Sequence, residues 1–304
     1  MARCPACRRR LAASAACPRD GARAPAELAA PAQDAPALDG VVVGERVGAG
    51  GFATTWAARV GPADAILKLA HRPGPVSRAR FEHEHEVLRR LADAGAPAPL
   101  AHGQHADGRP YLLMTRTAGR PLSALLAEAE RPWTVPEAIE LILALCAPLA
   151  EIHARGFVHG DLKPENLLVT AGAPPGVGIV DFGVARGAAL PSAPPAGIGT
   201  LEYMAPEQLR EPPQGPASDV YAVAAILFEL LVGHPPFTGD RGSIAFQLRN
   251  TRPPRLRWFL AVPPALDELV ARCLDKRVGE RPADARALAA ALRALGALGE
   301  LHPA

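Results

Sequence analysis

The sequence predicts an α+β protein in which a small, mostly β-structured part precedes a larger helical part. Short runs of β-favouring residues are separated by Gly or Pro turns, and a single helical pattern at 78–92 interrupts them. After Pro121 helical periodicity dominates, starting with TVPE at 134–137, which has the spacing of a capping box. The predicted strands cover residues 41–47, 54–60, 65–69 and 111–115.

Composition narrows the classes of protein to consider. The 304 residues are 49% hydrophobic, which is enough to bury a large core. Lys and Arg (33) nearly balance Asp and Glu (31), so the net charge gives no reason to expect binding to nucleic acid or to an anionic membrane. The apolar run at 220–232 contains Glu229 and is shorter than the ~20 residues of a membrane span, so we expect a buried helix.

The chain is predicted to have four segments. Residues 1–20 carry cysteines, residues 21–39 form an Ala/Pro-rich flexible linker, residues 40–297 form one globular domain, and residues 298–304 form a tail. The N-terminus has too short an apolar stretch for a signal peptide. Together with an odd number of cysteines, five in all, this favours a reducing cytoplasm.

Three N-terminal cysteines have a spacing that a small zinc ribbon uses. Cys4-Pro-Ala-Cys7 is a C-x₂-C turn, and Cys17-Pro-Arg-Asp20 has a carboxylate in place of a second cysteine. These four side chains would hold Zn²⁺. A disordered, cysteine-containing tail is the alternative, because the Arg and Ala residues around them contribute little core. The sequence leaves both open. The other two cysteines, Cys146 and Cys273, lie in apolar helical patterns and are expected to be buried thiols.

A glycine-rich segment, VGAGGFATTW at 47–56, joins two predicted strands. Glycines at 48, 50 and 51 allow backbone N–H groups to approach phosphate oxygens without side-chain clashes. On its own the segment fits a hairpin without a ligand equally well.

A lysine and a glutamate extend this pattern. Lys68 ends the strand AILK, and the following helix carries FEHEHE at 81–86. A carboxylate on that helix can pair with the ammonium group and direct it at phosphates, and Glu84 fits this role best. Charged residues usually lie on a solvated helix face, so the pairing depends on the motifs downstream.

The decisive stretch is HGDLKPEN at 159–166, followed by DFG at 181–183. Phosphoryl transfer from a nucleotide requires metal ions on the phosphates, a hydroxyl held in line and cations on the developing charge. Two carboxylates, one amide and one lysine supply those groups.

With these motifs the chain resembles the bacterial eukaryotic-like (Hanks-type) serine/threonine protein kinase family, from Val41 to about Leu295. The resemblance implies a bilobal fold with a mostly β N-terminal lobe containing one regulatory helix, and a helical C-terminal lobe. It implies ATP and Mg²⁺ or Mn²⁺ as cofactors. In this family Asp161 is the base for the substrate hydroxyl, Lys163 steadies the phosphoryl group, Lys68 and Glu84 form the ion pair, and Asn166 and Asp181 hold magnesium.

The resemblance also implies a set of nucleotide-binding positions and two structural ones. Glu207 pairs with Arg281, and Asp219 caps the backbone of the loop 159–166. Lys163 and Thr200 match the serine/threonine pattern, so the acceptors are Ser or Thr residues of proteins. The nucleotide-binding positions are Val47, Gly48, Gly50, Gly51, Phe52, Thr55, Ile66, Lys68, Met114, Thr115, Thr117, Asn166, Leu168 and Asp181.

Four positions depart from the family pattern. Ala53 replaces a glycine, and Thr55 and Ile66 replace the usual Val and Ala over the adenine, so we expect weaker nucleotide binding. Gly160 replaces the arginine that receives a phosphorylated activation loop, so we expect activity without phosphorylation of Ser192.

Two other functions remain as alternatives. A pseudokinase scaffold would usually lose Lys68, Asp161 or Asp181, and none is lost here. A small-molecule phosphotransferase of the aminoglycoside or choline kinase type often has a His-Gly-Asp loop, but the segments DFG at 181–183 and APE at 205–207 are typical of protein kinases. The sequence leaves the substrate, the activating signal and the oligomeric state open, and a regulatory protein is one candidate for the signal.

Overall fold

The computed structural model describes residues 2–4, 7–11, 16–17, 35–187, 190, 201–210 and 214–297. It divides into two compact units. A helical unit comprises Met1–Glu27, Gly119–Ile179 and Gly197–Ala304, and a β-rich unit comprises Leu28–Ala118 and Val180–Ala196. Asp20, Ser192, Thr200, most of the predicted linker and the predicted tail lie outside the described residues.

A short hairpin opens the helical unit. Strand β1 (Ala2–Arg3) pairs antiparallel with β2 (Arg10–Leu11), so Arg3 lies directly opposite Arg10. Leu11 is buried together with the N-terminal cysteines. The predicted cysteine-bearing segment therefore contains a β-hairpin in its described part.

The β-rich unit is built on one antiparallel sheet of five strands in the order β3-β4-β5-β7-β6. Trp56 and Leu67 belong to the buried cluster on one side of this sheet, which also includes Leu113. The four predicted strands are confirmed, and the fifth, β6, was not predicted because its sequence PLAHGQ contains Pro and Gly and lacks β-branched residues. The strands are β3 (Val42–Ala49), β4 (Ala53–Val60), β5 (Ala63–Ala70), β6 (Pro99–Gln104) and β7 (Pro110–Thr115).

Helix α1 (Pro75–Leu91) is the long helix of this unit and begins three residues before the predicted start. Its proline lies in the first turn, where a missing N–H costs nothing. Phe81, Glu84 and Leu88 lie three and four residues apart, on the buried face of the helix. This spacing buries Glu84, whereas Glu82 lies on the exposed face.

The helical unit contains four short strands and six helices among its described residues after Ala118. Strand β10 pairs with both β8 and β11. These elements are β8 (Arg120–Pro121), α2 (Leu122–Glu128), α3 (Val135–Ala154), β9 (Phe157–Val158), β10 (Leu167–Thr170), β11 (Gly176–Ile179), α4 (Pro216–Val232), α5 (Arg241–Asn250), α6 (Pro264–Cys273) and α7 (Ala285–Ala297). The β-rich unit resumes at Val180 and contains β12 (Arg186–Gly187).

Two helices of this unit were anticipated in detail. The Thr134 hydroxyl accepts a hydrogen bond from the Glu137 amide, and the Glu137 carboxylate accepts one from the Thr134 amide, so the predicted capping box begins α3. The apolar run at 220–232 forms most of α4, which is buried along nearly its whole length, including Glu229. In the part of the chain that the structure describes, no helix combines the length and apolarity that crossing a bilayer would require.

Candidate active site

Three charged residues of the β-rich unit form a compact cluster. The Lys68 ammonium on β5 donates to both carboxylate oxygens of Glu84, at 2.8 and 2.7 Å, and to Asp181 Oδ1 at 2.7 Å. Burial alone would lower the pKa of Lys68, but the negative charges of Asp181 and Glu84 outweigh it and raise the pKa. Lys68 therefore remains a cation throughout the physiological pH range. We call this group the lysine cluster.

Asp181 has an unusual backbone. Its φ is +67°, in the left-handed region, which costs a non-glycine residue on the order of 1–3 kcal/mol. The residues that follow hold this conformation in place. Phe182 is fully buried, and His83 of α1 donates a hydrogen bond from Nε2 to the Ala185 carbonyl at 2.7 Å. Gly183 lies so close to Glu84 that a Cβ would come within 3.2 Å of its carboxylate, which explains the glycine.

The glycine-rich turn between β3 and β4 has free space around two of its glycines. A Cβ added at Gly48 or Gly51 would meet no atom within 4 Å, so the backbone here is accessible to a ligand. The turn is closed by a hydrogen bond from the Gly50 amide to the Ala53 carbonyl at 2.9 Å. Ala53 has no positive φ, so it fits the place of the family's glycine without strain.

Val47 and Phe52, at either end of this turn, are about half exposed. The Arg80 guanidinium lies 3.6 Å from the centre of the Phe52 ring. The Phe52 ring is therefore held against α1 by a cation–π contact.

The register of the sheet groups the predicted adenine positions. Thr55 lies opposite Lys68, and Ile66 lies opposite Met114. Cross-strand partners point to the same face of a sheet, so these four side chains share one face, opposite the buried Trp56. The Thr115 amide donates to the Ala98 carbonyl at 2.9 Å. Thr117 follows β7 and is half-buried.

The helical unit holds the other predicted residues. In the loop 159–166, the Lys163 ammonium lies 2.6 Å from Asp161 Oδ2. The Asn166 amide nitrogen donates to the Asp161 carbonyl at 2.9 Å and to its carboxylate at 3.3 Å. Three predicted polar side chains thus meet within one loop, and Leu168 follows on β10, half-buried.

Buried groups of the same unit fix the backbone of this loop. Asp219 on α4 accepts hydrogen bonds from the His159 amide at 2.8 Å and the Gly160 amide at 2.9 Å, and it also contacts His153 Nε2 at 2.9 Å. The Gly160 carbonyl accepts from Gln208 Nε2 at 2.8 Å. The φ of Gly160 is +76°, a conformation that suits glycine.

The predicted pair of Glu207 and Arg281 is present. The guanidinium donates to both carboxylate oxygens, at 2.7 and 2.8 Å, and the Ser218 hydroxyl donates to the same carboxylate at 2.8 Å. Burial would raise the pKa of Glu207, but the Arg281 bonds lower it below its ordinary value. Arg281 is itself buried, so this is a desolvated bidentate pair.

The N-terminal cysteines form a second cluster. The sulfur atoms of Cys4, Cys7 and Cys17 all lie within 4.8 Å of one another, with 3.4 Å between those of Cys7 and Cys17. The Cys7 amide donates to Cys4 Sγ at 3.4 Å, and Arg8 takes a left-handed φ of +62° to turn the chain. All five cysteines lie within the described residues, and no disulfide links any of them.

The other two cysteines are buried in the helical unit, as predicted. Burial raises the pKa of the Cys146 and Cys273 thiols to about 12, so both stay protonated and unreactive at neutral pH.

Sequence reasoning did not identify the role of two arginines beside the cysteines. Arg3 and Arg10 both contact the buried Glu229 of α4 and the hydroxyl of Tyr203. A signal for them was available, because a glutamate inside an apolar helix needs a cationic partner when it is buried.

Comparisons with known proteins agree with this geometry. Residues 42–292 match the family model described as Protein kinase domain. Serine/threonine-protein kinase PknL of Mycobacterium tuberculosis is 39% identical over 222 residues, which cover 71% of this chain and 54% of the relative. Serine/threonine-protein kinase pkn3 of Myxococcus xanthus is 35% identical over 71% of this chain and 42% of its own. The chain thus spans about half the length, or less, of these curated relatives.

A solved structure shows the same fold. The crystal structure of the Mycobacterium tuberculosis PknI kinase domain, determined for a cysteine-to-alanine mutant, superposes with a TM-score of 0.66 at 24% identity, covering 87% of this chain and 99% of that one. The predicted bilobal α+β fold is confirmed. Because the family model spans most of the chain, this protein belongs to the protein kinase domain family, as its motifs predicted.

Proposed function

We propose that the chain is an ATP-dependent serine/threonine protein kinase that acts in signal transduction. The observation that carries the proposal is the lysine cluster: a lysine tied to a buried glutamate and to the aspartate of DFG. Membership of the family and the names of the relatives, which are serine/threonine kinases, support the same activity.

The side chains present fit the cofactors that the family uses. Mg²⁺ prefers oxygen ligands. The Asp181 side chain is 44% exposed and offers a carboxylate. The Asn166 nitrogen is directed at Asp161, so its amide oxygen is the atom suited to a cation. We assign Asn166 and Asp181 to magnesium. We assign the glycine-rich turn, Lys68 and the sheet face of Thr55, Ile66 and Met114 to ATP.

We assign the chemical step to the loop 159–166. Magnesium on the phosphates would neutralise charge there and hold the terminal phosphate in line. The Asp161 carboxylate accepts the proton of the acceptor Ser or Thr hydroxyl as that oxygen bonds to the γ-phosphorus of ATP, while the bond from that phosphorus to the bridging oxygen breaks and ADP leaves. The Lys163 ammonium, already beside Asp161, offsets the negative charge that develops.

The alternatives have less support. Lys68, Asp161 and Asp181, the positions that a pseudokinase usually loses, are all present. Their side chains also make ordered contacts within their own units. The segment DFG and the Glu207–Arg281 pair favour a protein kinase over a small-molecule phosphotransferase. The cytoplasmic location and a regulatory protein partner stay predictions.

We further propose that Cys4, Cys7 and Cys17 bind Zn²⁺. Tetrahedral coordination with Zn–S bonds of about 2.3 Å puts sulfur atoms about 3.8 Å apart, and the three sulfur atoms here lie within 4.8 Å of one another, with 3.4 Å between those of Cys7 and Cys17. The hydrogen bond that the Cys7 backbone amide donates to Cys4 Sγ would also stabilise a thiolate there. Asp20, predicted as the fourth ligand, lies outside the described residues.

One experiment tests the activity. The purified protein is incubated with Mg-ATP, generic protein acceptors and an aminoglycoside, and all products are identified by mass spectrometry, with Asp161→Asn as the matched control. We expect phosphoserine and phosphothreonine from the wild type only. A phosphorylated aminoglycoside would overturn the proposal in favour of a small-molecule enzyme, and absence of any product would favour a pseudokinase.

A further inference from the structure

The buried carboxylate of Glu229 depends on the N-terminal hairpin. Glu229 is 1% exposed on the apolar helix α4. Arg3 Nη1 donates to it at 2.8 Å, Arg10 Nε donates to it at 3.1 Å, and the Tyr203 hydroxyl also donates to it. A buried charge without a partner is strongly unfavourable. The hairpin therefore supplies the positive charge that lets α4 bury this residue.

Arg10 extends this contact to the loop 159–166. It is 4% exposed, and its two terminal nitrogens donate to the Tyr203 hydroxyl, at 2.6 Å, and to Glu165 Oε1. The other oxygen of Glu165, Oε2, is buried without a hydrogen bond to any described residue.

Glu165 lies where its position matters. It is the middle residue of a 3₁₀ turn, Pro164–Asn166, in which the backbone N–H of Asn166 donates to the Lys163 carbonyl at 2.9 Å. Lys163, which precedes the turn, and Asn166, which ends it, are thus on either side of Glu165, and both belong to the proposed site of phosphoryl transfer. Arg10 therefore contacts the turn through Glu165, the residue between Lys163 and Asn166 in the sequence order of the turn.

Two members of the cysteine cluster, Cys4 and Cys7, lie in the turn of the same hairpin, and the third, Cys17, follows β2. Arg3 and Arg10 are direct cross-strand partners, and like charges in that arrangement repel each other unless acidic groups face both. A hairpin with two residues in each strand is also too short to be stable alone. Cys4 and Cys7 join the two strands, so a metal on the sulfur atoms would fix the spacing of the two arginines.

We propose that Arg10 is a positioning residue for phosphoryl transfer, held at Glu165 by an N-terminal hairpin that a soft divalent metal, Zn²⁺, ties together through Cys4, Cys7 and Cys17. The proposal rests on the kinase function and the metal site proposed above. It adds that the metal acts on turnover through Arg10, without touching the substrate.

The test compares six forms of the 304-residue chain: wild type, Arg10→Ala, Glu165→Gln, the double variant Arg10→Ala/Glu165→Gln, the double variant Cys7→Ser/Cys17→Ser, and Arg9→Ala. Arg9 is the matched control, because it neighbours Arg10 but donates to the backbone carbonyl of Glu130. Each form is assayed for zinc content, for kcat and KM with Mg-ATP, and for amide hydrogen exchange in the loop 159–166, with α6 (Pro264–Cys273) as the internal reference.

We expect Arg10→Ala and Glu165→Gln to keep zinc, to lower kcat about 10-fold with KM for ATP changed less than about 3-fold, and to speed exchange in the loop about 10-fold. The cysteine variant should lose zinc and show the same two changes, whereas Arg9→Ala should match wild type. Combining Arg10→Ala with Glu165→Gln should add little, because the two residues act as one contact.

Wild-type kcat and loop exchange in Arg10→Ala would overturn the proposal, and so would loss of zinc without any change in the loop. If the wild type transfers no phosphate, the kinase proposal fails, and hydrogen exchange still decides whether the hairpin restrains the loop. If the wild type binds no zinc but Arg10→Ala behaves as expected, the metal part alone is wrong.

Discussion

The lysine cluster of the β-rich unit and the loop 159–166 of the helical unit hold charged groups in different ways. In the lysine cluster one cation bridges two carboxylates, and Asp181 is exposed and strained. In the loop, the backbone itself is held by Asp219 and Gln208, and its charged side chains sit on that fixed frame.

Side chains in the lysine cluster are thus positioned by ion pairs, whereas those of the loop 159–166 are positioned by hydrogen bonds to the loop backbone. A group held by one ion pair can exchange partners when a ligand arrives, because the competing charges are similar in strength. A loop held through buried amides cannot move without breaking several bonds at once. Nucleotide-side residues should therefore respond to ligands, and the loop should not.

The first prediction concerns the charged side chain that sits on the fixed loop. Asp161→Asn should lower turnover about 10²–10⁴-fold, on the order of 3–5 kcal/mol of barrier, because a positioned base is lost. Nucleotide affinity and thermal stability should stay close to wild type, since Asp219 and Gln208 bind the backbone of the loop and remain in place. Steady-state kinetics and calorimetry with ATP measure both, and near-normal turnover would show that Asp161 is misassigned.

The second prediction removes the bridging cation. Lys68→Met should lower transfer about 10²-fold or more through lost positioning of phosphate. Glu84 and Asp181 would then repel each other without a cation between them, so hydrogen exchange at residues 180–187 should rise. Lys68→Arg is the control that keeps the charge. Unchanged exchange in Lys68→Met would mean that charge does not hold Asp181.

The third prediction makes the same chemical change, Asp to Asn, in the frame of the loop. Asp219→Asn puts an NH₂ group where the backbone N–H of His159 or Gly160 now donates. A loss of about 2–3 kcal/mol of unfolding free energy is expected, since a buried donor is left unpaired. Asp284→Asn is the matched control, because Asp284 accepts from the Ala287 amide at the start of α7 and Asn serves equally well there. Equal denaturation midpoints for the two variants would contradict a backbone-held loop.

The smallest effect is expected at the start of α3, far along the chain from both groups. Thr134→Ala should cost about 1 kcal/mol of stability, and Thr134→Ser should restore it. Bonds from Arg131 and Thr134 lower the pKa of Glu137 to about 2. The ionised Glu137 carboxylate therefore contributes to the free energy of unfolding above about pH 4.3, its pKa in the unfolded chain, and this contribution is lost as the pH falls towards 2. Acid titration of the unfolding midpoint should show this loss in wild type and less of it in Thr134→Ala.

Much of the site could be predicted because phosphoryl transfer dictates residue types in a fixed order. Glu84 could be chosen over Glu82 because it shares a helix face with Phe81 and Leu88, and the structure buries it there. The capping box of α3 was likewise readable, since both partners lie within one turn.

What could not be predicted depends on contacts distant in sequence. Strand β6 has little β propensity and forms because β7 pairs with it. The bond from Arg10 to Glu165 spans 155 positions, and nothing local to either residue indicates it. Only Glu229, an acid among apolar residues, signalled that a cation was needed, and it did not say which one.

With the roles proposed for them, the bond between Lys68 and Asp181 makes nucleotide binding an exchange and not a simple addition. On that proposal a phosphate that takes Lys68 leaves Asp181 without its cation, and the divalent ion that accompanies the nucleotide would replace it. Nucleotide stripped of its metal would leave Asp181 facing like charge, so the resting cluster already discriminates between the two forms of the ligand.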